Sequence, residues 1–339
     1  MGTLILPVCG DSTRFPGTRP KFLLTHPNGK IMVRAGIDGL NLINTERIIL
    51  TVRQDHLNKY NCEELIKKQF KGLPFELCIL DQPTQGQADT VFNTLVKNHV
   101  TGPFQIKDCD NYFECNILNT NFVATSDLQQ HPYINPSNKS YVQLHAHSGH
   151  LIDKIYEKKI ISNLFCCGLY GFMSPQEYTK ALVTLSPTSY ISDVINKSLD
   201  IFETILATNY LDWGTYEDWN NYRDKFETLF VDIDGVLIEN SDEIGWGHKP
   251  AIQKNVEFLQ QKKNNGKTYI VLTTCRKIEC AEITEKQLEK YQIPYDVILY
   301  DLPHCRRTII NDYSKTNKYP SCQAVNIPRN MDILSELIN

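Results

Sequence analysis

The run Thr228-Leu229-Phe230-Val231-Asp232-Ile233-Asp234-Gly235-Val236-Leu237 constrains this chain more than any other feature. An apolar stretch ending in Asp-x-Asp-Gly predicts a buried strand that delivers two carboxylates to its tip. Residues two apart on a strand point to the same side, so Asp232 and Asp234 can share one divalent cation and one phosphate. Gly235 then lets the chain turn with no side chain in the way. A second β-branched and aromatic run, Thr268-Tyr269-Ile270-Val271-Leu272, ends in Thr273-Thr274-Cys275-Arg276. A third, Ile309-Ile310-Asn311-Asp312, ends in a carboxylate and follows Arg306 and Arg307. Three strand tips therefore offer acid, hydroxyl, base and acid in order, which points to phosphoryl transfer.

That ordered set resembles the haloacid-dehalogenase (HAD) superfamily of phosphotransferases, over residues 226–339. The resemblance implies Asp232 as nucleophile and Asp234 as general acid and base. It implies a Mg²⁺ ion held by Asp232, Asp234 (through its carbonyl) and Asp312, with Thr273 and Thr274 on the phosphoryl oxygens. Arg306 is the expected phosphate-neutralising cation, with Arg307 next to it as the second candidate. The interval from Asp234 to Thr273 holds Pro250 and a helical stretch, Ala251 to Lys263, and has no room for a large cap domain. Capless members of the superfamily often close the site with a neighbouring subunit or domain, which implies a large substrate or a homo-oligomer.

The first part of the chain carries a different set. Leu4-Ile5-Leu6-Pro7-Val8 reads as a strand feeding the loop Cys9-Gly10-Asp11-Ser12-Thr13-Arg14, with Lys21 beyond it. Backbone N–H groups at Gly10, Ser12 and Thr13, together with the cations Arg14 and Lys21, make a cradle for a nucleoside triphosphate. An ordinary strand and surface turn fits the same residues. Four later segments, in order, are Gln82 to Thr90 with Gly86 and Gln87, Lys107-Asp108-Cys109-Asp110-Asn111, Glu157-Lys158 followed by Cys167-Gly168-Leu169-Tyr170-Gly171-Phe172, and Asp212-Trp213-Gly214-Thr215.

Together with the loop, these four resemble the sugar-phosphate nucleotidyltransferases. The resemblance implies base recognition by Gln82, Gly86 and Gln87, metal binding by Asp110 and Asp212, and an acceptor-phosphate region at Lys158 and Gly168. Nucleotidyl transfer brings two anions together and expels pyrophosphate, so Mg²⁺ on Asp110 and Asp212 and the charges of Arg14, Lys21 and Lys158 suit it without any side-chain nucleophile. Two departures stand out: Ser12 occupies a position where the family usually has Gly, and Asp11 adds a negative charge beside the expected triphosphate. The short interval from Arg14 to Lys21 is closer to capsule-associated and cytidylyl-type members and favours CTP.

A chain of 339 residues exceeds the size at which single cores stop growing. The expected organisation is α/β in two domains: residues 1–222 as a Rossmann-like, GT-A-like mixed sheet, and residues 226–339 as a HAD-like parallel sheet. Helices are expected around Met32 to Leu40, Cys62 to Phe70 and Ala88 to Asn98. The net charge of −4 gives no basic excess and excludes nucleic acid as the favoured partner. Eleven cysteines, an odd number, with no secretory pattern, predict free thiols and a cytoplasmic protein without a membrane span. His145, His147 and His150 read as one face of a strand and its hairpin turn. Trp213, Trp219 and Trp246 read first as packing aromatics; the alternative for Trp246 is that its glycine-bracketed loop, residues 243–248, closes over a substrate. The expected activity is bifunctional: Mg²⁺-dependent nucleotidyl transfer to a phosphorylated sugar or polyol, plus phosphomonoester hydrolysis, in polysaccharide or glycoconjugate precursor synthesis. The alternative is an active phosphatase controlled by a nucleotide-binding regulatory domain.

Overall fold

The computed structural model describes residues 2–242, 245–314 and 320–338. The chain divides into two compact units, Met1–Arg223 and Asp224–Asn339.

The first unit is built on a nine-stranded mixed sheet. Its main path runs Glu203–Leu206, Phe122–Asp127, Leu164–Phe172, Phe104–Lys107, Gly2–Pro7, Thr45–Arg53 and Phe75–Leu80. The last four of these strands are mutually parallel, and Leu164–Phe172 runs antiparallel to both of its neighbours on the path. Both faces are buried. Leu4, Leu6, Ile48 and Leu50 enter one core, whereas Ile5, Ile49 and Ile106 enter the other together with Ala88, Val91 and Leu95 of the helix Gln87–Lys97. Near-continuous apolar strands of this kind are what a sheet covered on both sides requires.

The helix expected from Met32 to Leu40 stops at Ala35. Beyond it the chain lies directly on the backbone of the 109–113 segment: a Cβ at Gly39 would stand 2.2 Å from the Phe113 carbonyl oxygen, and one at Gly36 3.0 Å from that of Asn111. A second, three-stranded sheet joins Thr208–Asp212 to Asn111–Asn116 and Leu40–Asn41. The histidine segment differs from expectation as well. The strand ends at Leu144, and His145, His147 and His150 are exposed in the connection to Ile152–Tyr156.

The second unit holds a parallel sheet of three strands, Glu227–Asp232, Thr268–Thr273 and Val297–Leu299. Helices Gln253–Asn264 and Ala281–Lys290 bury Val256, Leu259 and Leu288 against Val231, Ile270 and Leu272. The interval after Gly235 is an excursion closed by Glu239 N to Pro250 O, 3.0 Å, and Ile252 N to Leu237 O, 2.8 Å. The strand expected at Ile309–Asp312 does not form: the segment has no regular structure and Ile310 is 92% exposed. Its polar groups close locally instead. Asn311 Nδ2 donates to Ser321 O at 3.2 Å, and Ser321 Oγ donates to Asp312 O.

Among the described residues, no helix is long and apolar enough to cross a membrane. All eleven cysteines are free: seven, from Cys9 to Cys167, are buried in the first unit, and Cys275, Cys280, Cys305 and Cys322 of the second are partly or fully exposed.

Candidate active site

Parallel neighbours Gly2–Pro7 and Phe104–Lys107 end on the same side of the sheet, so the loop after the first meets the Asp108–Asp110 turn after the second. The carboxyl ends of parallel strands are where open α/β sheets present ligand sites. The antiparallel pairing of Asp212 with Asn111 brings the second carboxylate to the same place. A Cβ on Gly214 would lie 3.1 Å from Asp212 Oδ1, 3.5 Å from Arg14 Nη1 and 3.7 Å from Asp110 Oδ2. Asp110, Asp212 and Arg14 therefore converge on one point, kept open by a glycine.

Lysines complete the cluster. Lys21 Nζ donates to Asp110 Oδ2 at 2.5 Å, and Arg14 Nη2 reaches the same oxygen at 3.3 Å. Burial disfavours the Asp110 anion, but Lys21 and then Arg14 outweigh it and hold this carboxyl well below the usual range. Lys139, which the sequence reading missed, pairs with Asp212 Oδ2 at 2.7 Å and donates to Tyr210 Oη at 2.7 Å. Its contacts come from positions 71 to 73 residues away in the chain, and no local pattern announces them.

The loop departures acquire reasons. Ser12 takes φ 53°, the left-handed region in which glycine is the easy choice, and its Oγ accepts the Lys21 N–H at 2.9 Å, closing the loop. Asp11 is paired with Arg53, which also grips Asp55. The negative charge beside the expected triphosphate is thus partly offset from the neighbouring strand, by one guanidinium shared between two carboxylates. Gly10, Thr13 and Arg14 are exposed along the loop, and a Cβ on Gly10 would meet nothing within 4 Å.

Behind the cluster lies a buried polar layer. Lys107 is fully buried; its Nζ donates to Asp108 O at 2.6 Å and to the Asn111 side chain, and burial pushes its pKa down to about 8. Burial and the nearby Asp110 charge push the Asp108 carboxyl upward. Gln87, expected to read a base, donates instead to Asp108 Oδ1. Gly168 sits at φ 83°, and a Cβ there would stand 2.4 Å from Asp108 Oδ2, so only glycine fits. Gln82 is exposed, and Gly86 begins the following helix against Pro187. Lys158 is exposed and donates to Tyr190 Oη at 3.1 Å, a pairing separate from the Asp110 and Asp212 cluster.

In the second unit, register places Asp232 opposite Thr273. The guanidinium at this tip belongs to Arg307, where the sequence reading put Arg306 first: Arg307 Nη1 lies 3.1 Å from Asp232 Oδ1 and 3.3 Å from Thr273 Oγ1, and Arg306 is exposed. Burial raises the Asp232 pKa against the opposing pull of Arg307. Asp234 is gripped by Arg276, through Nε at 2.9 Å and Nη2 at 2.6 Å. Arg276, 1% exposed, also donates to Gln287 at 2.9 Å and to Thr284 at 3.3 Å, and lies 5.7 Å from the Trp246 ring centroid. Trp246 is accordingly a packing residue over this ion pair, while Glu243 and Ile244 of its loop lie outside the described residues. Thr274 Oγ1 accepts the Arg276 backbone N–H at 3.0 Å. Asp312 rides on the irregular segment and not on a third strand tip.

Several solved structures resemble the chain. A nucleoside-diphosphate-sugar pyrophosphorylase from Vibrio cholerae RC9 superposes with a TM-score of 0.55 at 19% identity, over 65% of this chain and 99% of that one. An inositol-1-phosphate CTP transferase from T. maritima gives 0.50 at 19% identity, over 64% of this chain and 91% of that one. At such identities the likeness is one of fold, an α/β mixed sheet of the nucleotidyltransferase type. The matched share is about that of the first unit, and the HAD resemblance of the second rests on its own residues alone. No protein-family model matches the chain, and no curated protein matches it.

Proposed function

We propose that the first unit transfers a nucleotidyl group from a nucleoside triphosphate to a small phosphorylated acceptor. The observation that carries this reading is the convergence of Asp110, Asp212 and Arg14 on the open position at Gly214, with Lys21 on Asp110. Among the described residues no group of three His, Cys, Asp or Glu side chains could form an all-protein metal cage. Two nearly buried carboxylates are instead the donor set suited to Mg²⁺, which takes its remaining ligands from water and phosphate. Asp110 and Asp212 would hold that ion, which would supply charge neutralisation at the α-phosphate. Arg14, at the mouth of the loop, neutralises the β- and γ-phosphates and the departing pyrophosphate. Lys21 is tied to the loop through its backbone bond to Ser12 and carries its charge to the same place. Asp108, Lys107, Gln87 and Gly168 hold the Asp110 turn rigid from behind.

CTP is the triphosphate to test first, in line with the short Arg14 to Lys21 interval and the fold shared with a CTP transferase. The second unit is read as a phosphomonoesterase, with Asp232 as nucleophile, Thr273 and Arg307 on the phosphate and Asp234 oriented by Arg276. Their clustering at one end of a parallel sheet supports this half. Phosphorylated sugars and polyols are the acceptor classes, as in precursor synthesis for surface polymers.

The test is pyrophosphate release with Mg²⁺, the four ribonucleoside triphosphates and a panel of such phosphates, with free phosphate followed in parallel. Pyrophosphate lost on Asp110→Asn, and phosphate lost on Asp232→Asn, support the two halves separately. Triphosphate binding with no pyrophosphate from any pair would sink the transfer reading and leave a nucleotide-binding regulatory unit.

A further inference from the structure

Three protein cations face two carboxylates in the first unit's cluster: Arg14, Lys21 and Lys139 against Asp110 and Asp212. The cluster therefore carries one positive charge before any ligand arrives. Lys139 is an integral member. Its side chain is 11% exposed and that of Asp212 12%, its Nζ lies 5.0 Å from the Tyr210 ring centroid, and its charge is felt at Asp110 as well. A buried ammonium with a carboxylate at 2.7 Å and a hydroxyl at 2.7 Å is held there firmly, because leaving either charge unpaired at such a position is costly.

We propose that Lys139 is an exchangeable counter-ion: it neutralises Asp212 until a divalent cation takes that carboxylate, and its ammonium then turns to a phosphate oxygen of the incoming ligand. The inference rests on the nucleotidyl-transfer reading for the identity of the ligand, but its metal-binding consequence is independent of turnover. A bare divalent cation entering this cluster would raise its charge from one to three positive units, at a place too buried for water to screen it well. The complex of a divalent cation with a triphosphate carries net negative charge and meets a cluster of opposite sign. Metal and triphosphate should thus load together, and the metal alone should bind weakly. Lys139 sets that order because it is the cation on Asp212.

The experiment is Mn²⁺ titration of the full chain, followed by electron paramagnetic resonance of free Mn²⁺, with and without α,β-methylene CTP. The Asp110→Asn chain defines manganese bound elsewhere. For the wild type, the Asp110-dependent site should bind Mn²⁺ on the order of 10-fold or more tightly with the analogue than without it. Lys139→Met should bind bare Mn²⁺ on the order of 10-fold more tightly than the wild type, and should lose most of the gain from the analogue. Lys139→Gln serves if the methionine variant does not fold. Tyr210→Phe, which removes only the hydroxyl partner, should loosen the lysine and fall between wild type and Lys139→Met. Bare-metal affinity left unchanged, or weakened, by loss of the Lys139 charge overturns the proposal. So does a wild type that binds manganese equally well with and without the analogue. If manganese behaves as stated while no triphosphate yields pyrophosphate, the counter-ion role stands and the transfer reading falls.

Discussion

Replacing Arg276 by methionine strands the Asp234 carboxylate in the second unit. The pair is closed on both sides, with Arg276 1% and Asp234 10% exposed, and two charge-assisted hydrogen bonds at 2.6 and 2.9 Å join them. Arg276 also donates to Gln287, whose amide nitrogen holds Lys249 O at 2.8 Å, so the guanidinium ties the excursion after Gly235 to helix Ala281–Lys290. Breaking a buried pair by removing one partner costs about 3–5 kcal/mol, because the other charge is left uncompensated. Arg276→Met should therefore weaken the unit by roughly 3 kcal/mol or more, with Asp234→Asn somewhat milder because an amide can still accept one of the two bonds. The double variant should cost clearly less than the two singles together, since neither charge remains stranded. At about 1.4 kcal/mol per factor of ten, amides of the Thr268–Thr273 strand should exchange with deuterium on the order of 100-fold faster in Arg276→Met. Exchange within about threefold of wild type in both singles, or strict additivity in the double, would refute the view that this pair organises the unit.

Four further outcomes follow from the first unit. Gly168→Ala forces a methyl to 2.4 Å from the Asp108 carboxylate at a positive φ, and should cost about 1–3 kcal/mol in chemical denaturation while lowering pyrophosphate release. Since the Asp110 pKa is depressed in the folded protein, its contribution to stability is fully present above the unfolded carboxylate value and is lost as pH falls through that value toward the depressed one. An acid titration should show that slope in the wild type and a shallower one in Asp110→Asn. Arg53→Met releases the Asp11 charge beside the loop and should weaken triphosphate binding several-fold, read as a higher KM with kcat little changed. Mutating Lys158, whose Nζ lies on Tyr190 and outside the Asp110 cluster, should affect the acceptor KM and leave triphosphate affinity unaltered.

Three strands were legible in the sequence because their patterns are local: Gly2–Pro7, Glu227–Asp232 and Thr268–Thr273 stand out as apolar runs. The Asp110 and Asp212 pair could be read from motif order, and the structure brings the two together through a strand pairing that motif order does not reveal. What stayed hidden were ion partners distant in sequence: Arg53 for Asp11, Lys139 for Asp212 and Arg276 for Asp234. Arg276 was in plain view after Thr273 and Thr274, but a charge's partner is set by tertiary packing and not by its neighbours in the chain. The Ile309–Asp312 run failed for a related reason. A β-branched pattern states only that a segment can pair; here the Asn311 side chain and the Asp312 carbonyl bond to Ser321, and no strand forms.

The division of the cysteines gives the two units different chemical handles. The seven thiols of the first are shut inside its cores, and burial raises that of Cys9 to about 12, far from the thiolate that alkylating reagents attack. The four thiols of the second are the reachable ones, and Cys275 stands between Thr274 and Arg276. A maleimide or a mild oxidant will therefore report on one half of the chain only, so that a fluorophore or spin label can be attached to the second unit with no cysteine removed from the first.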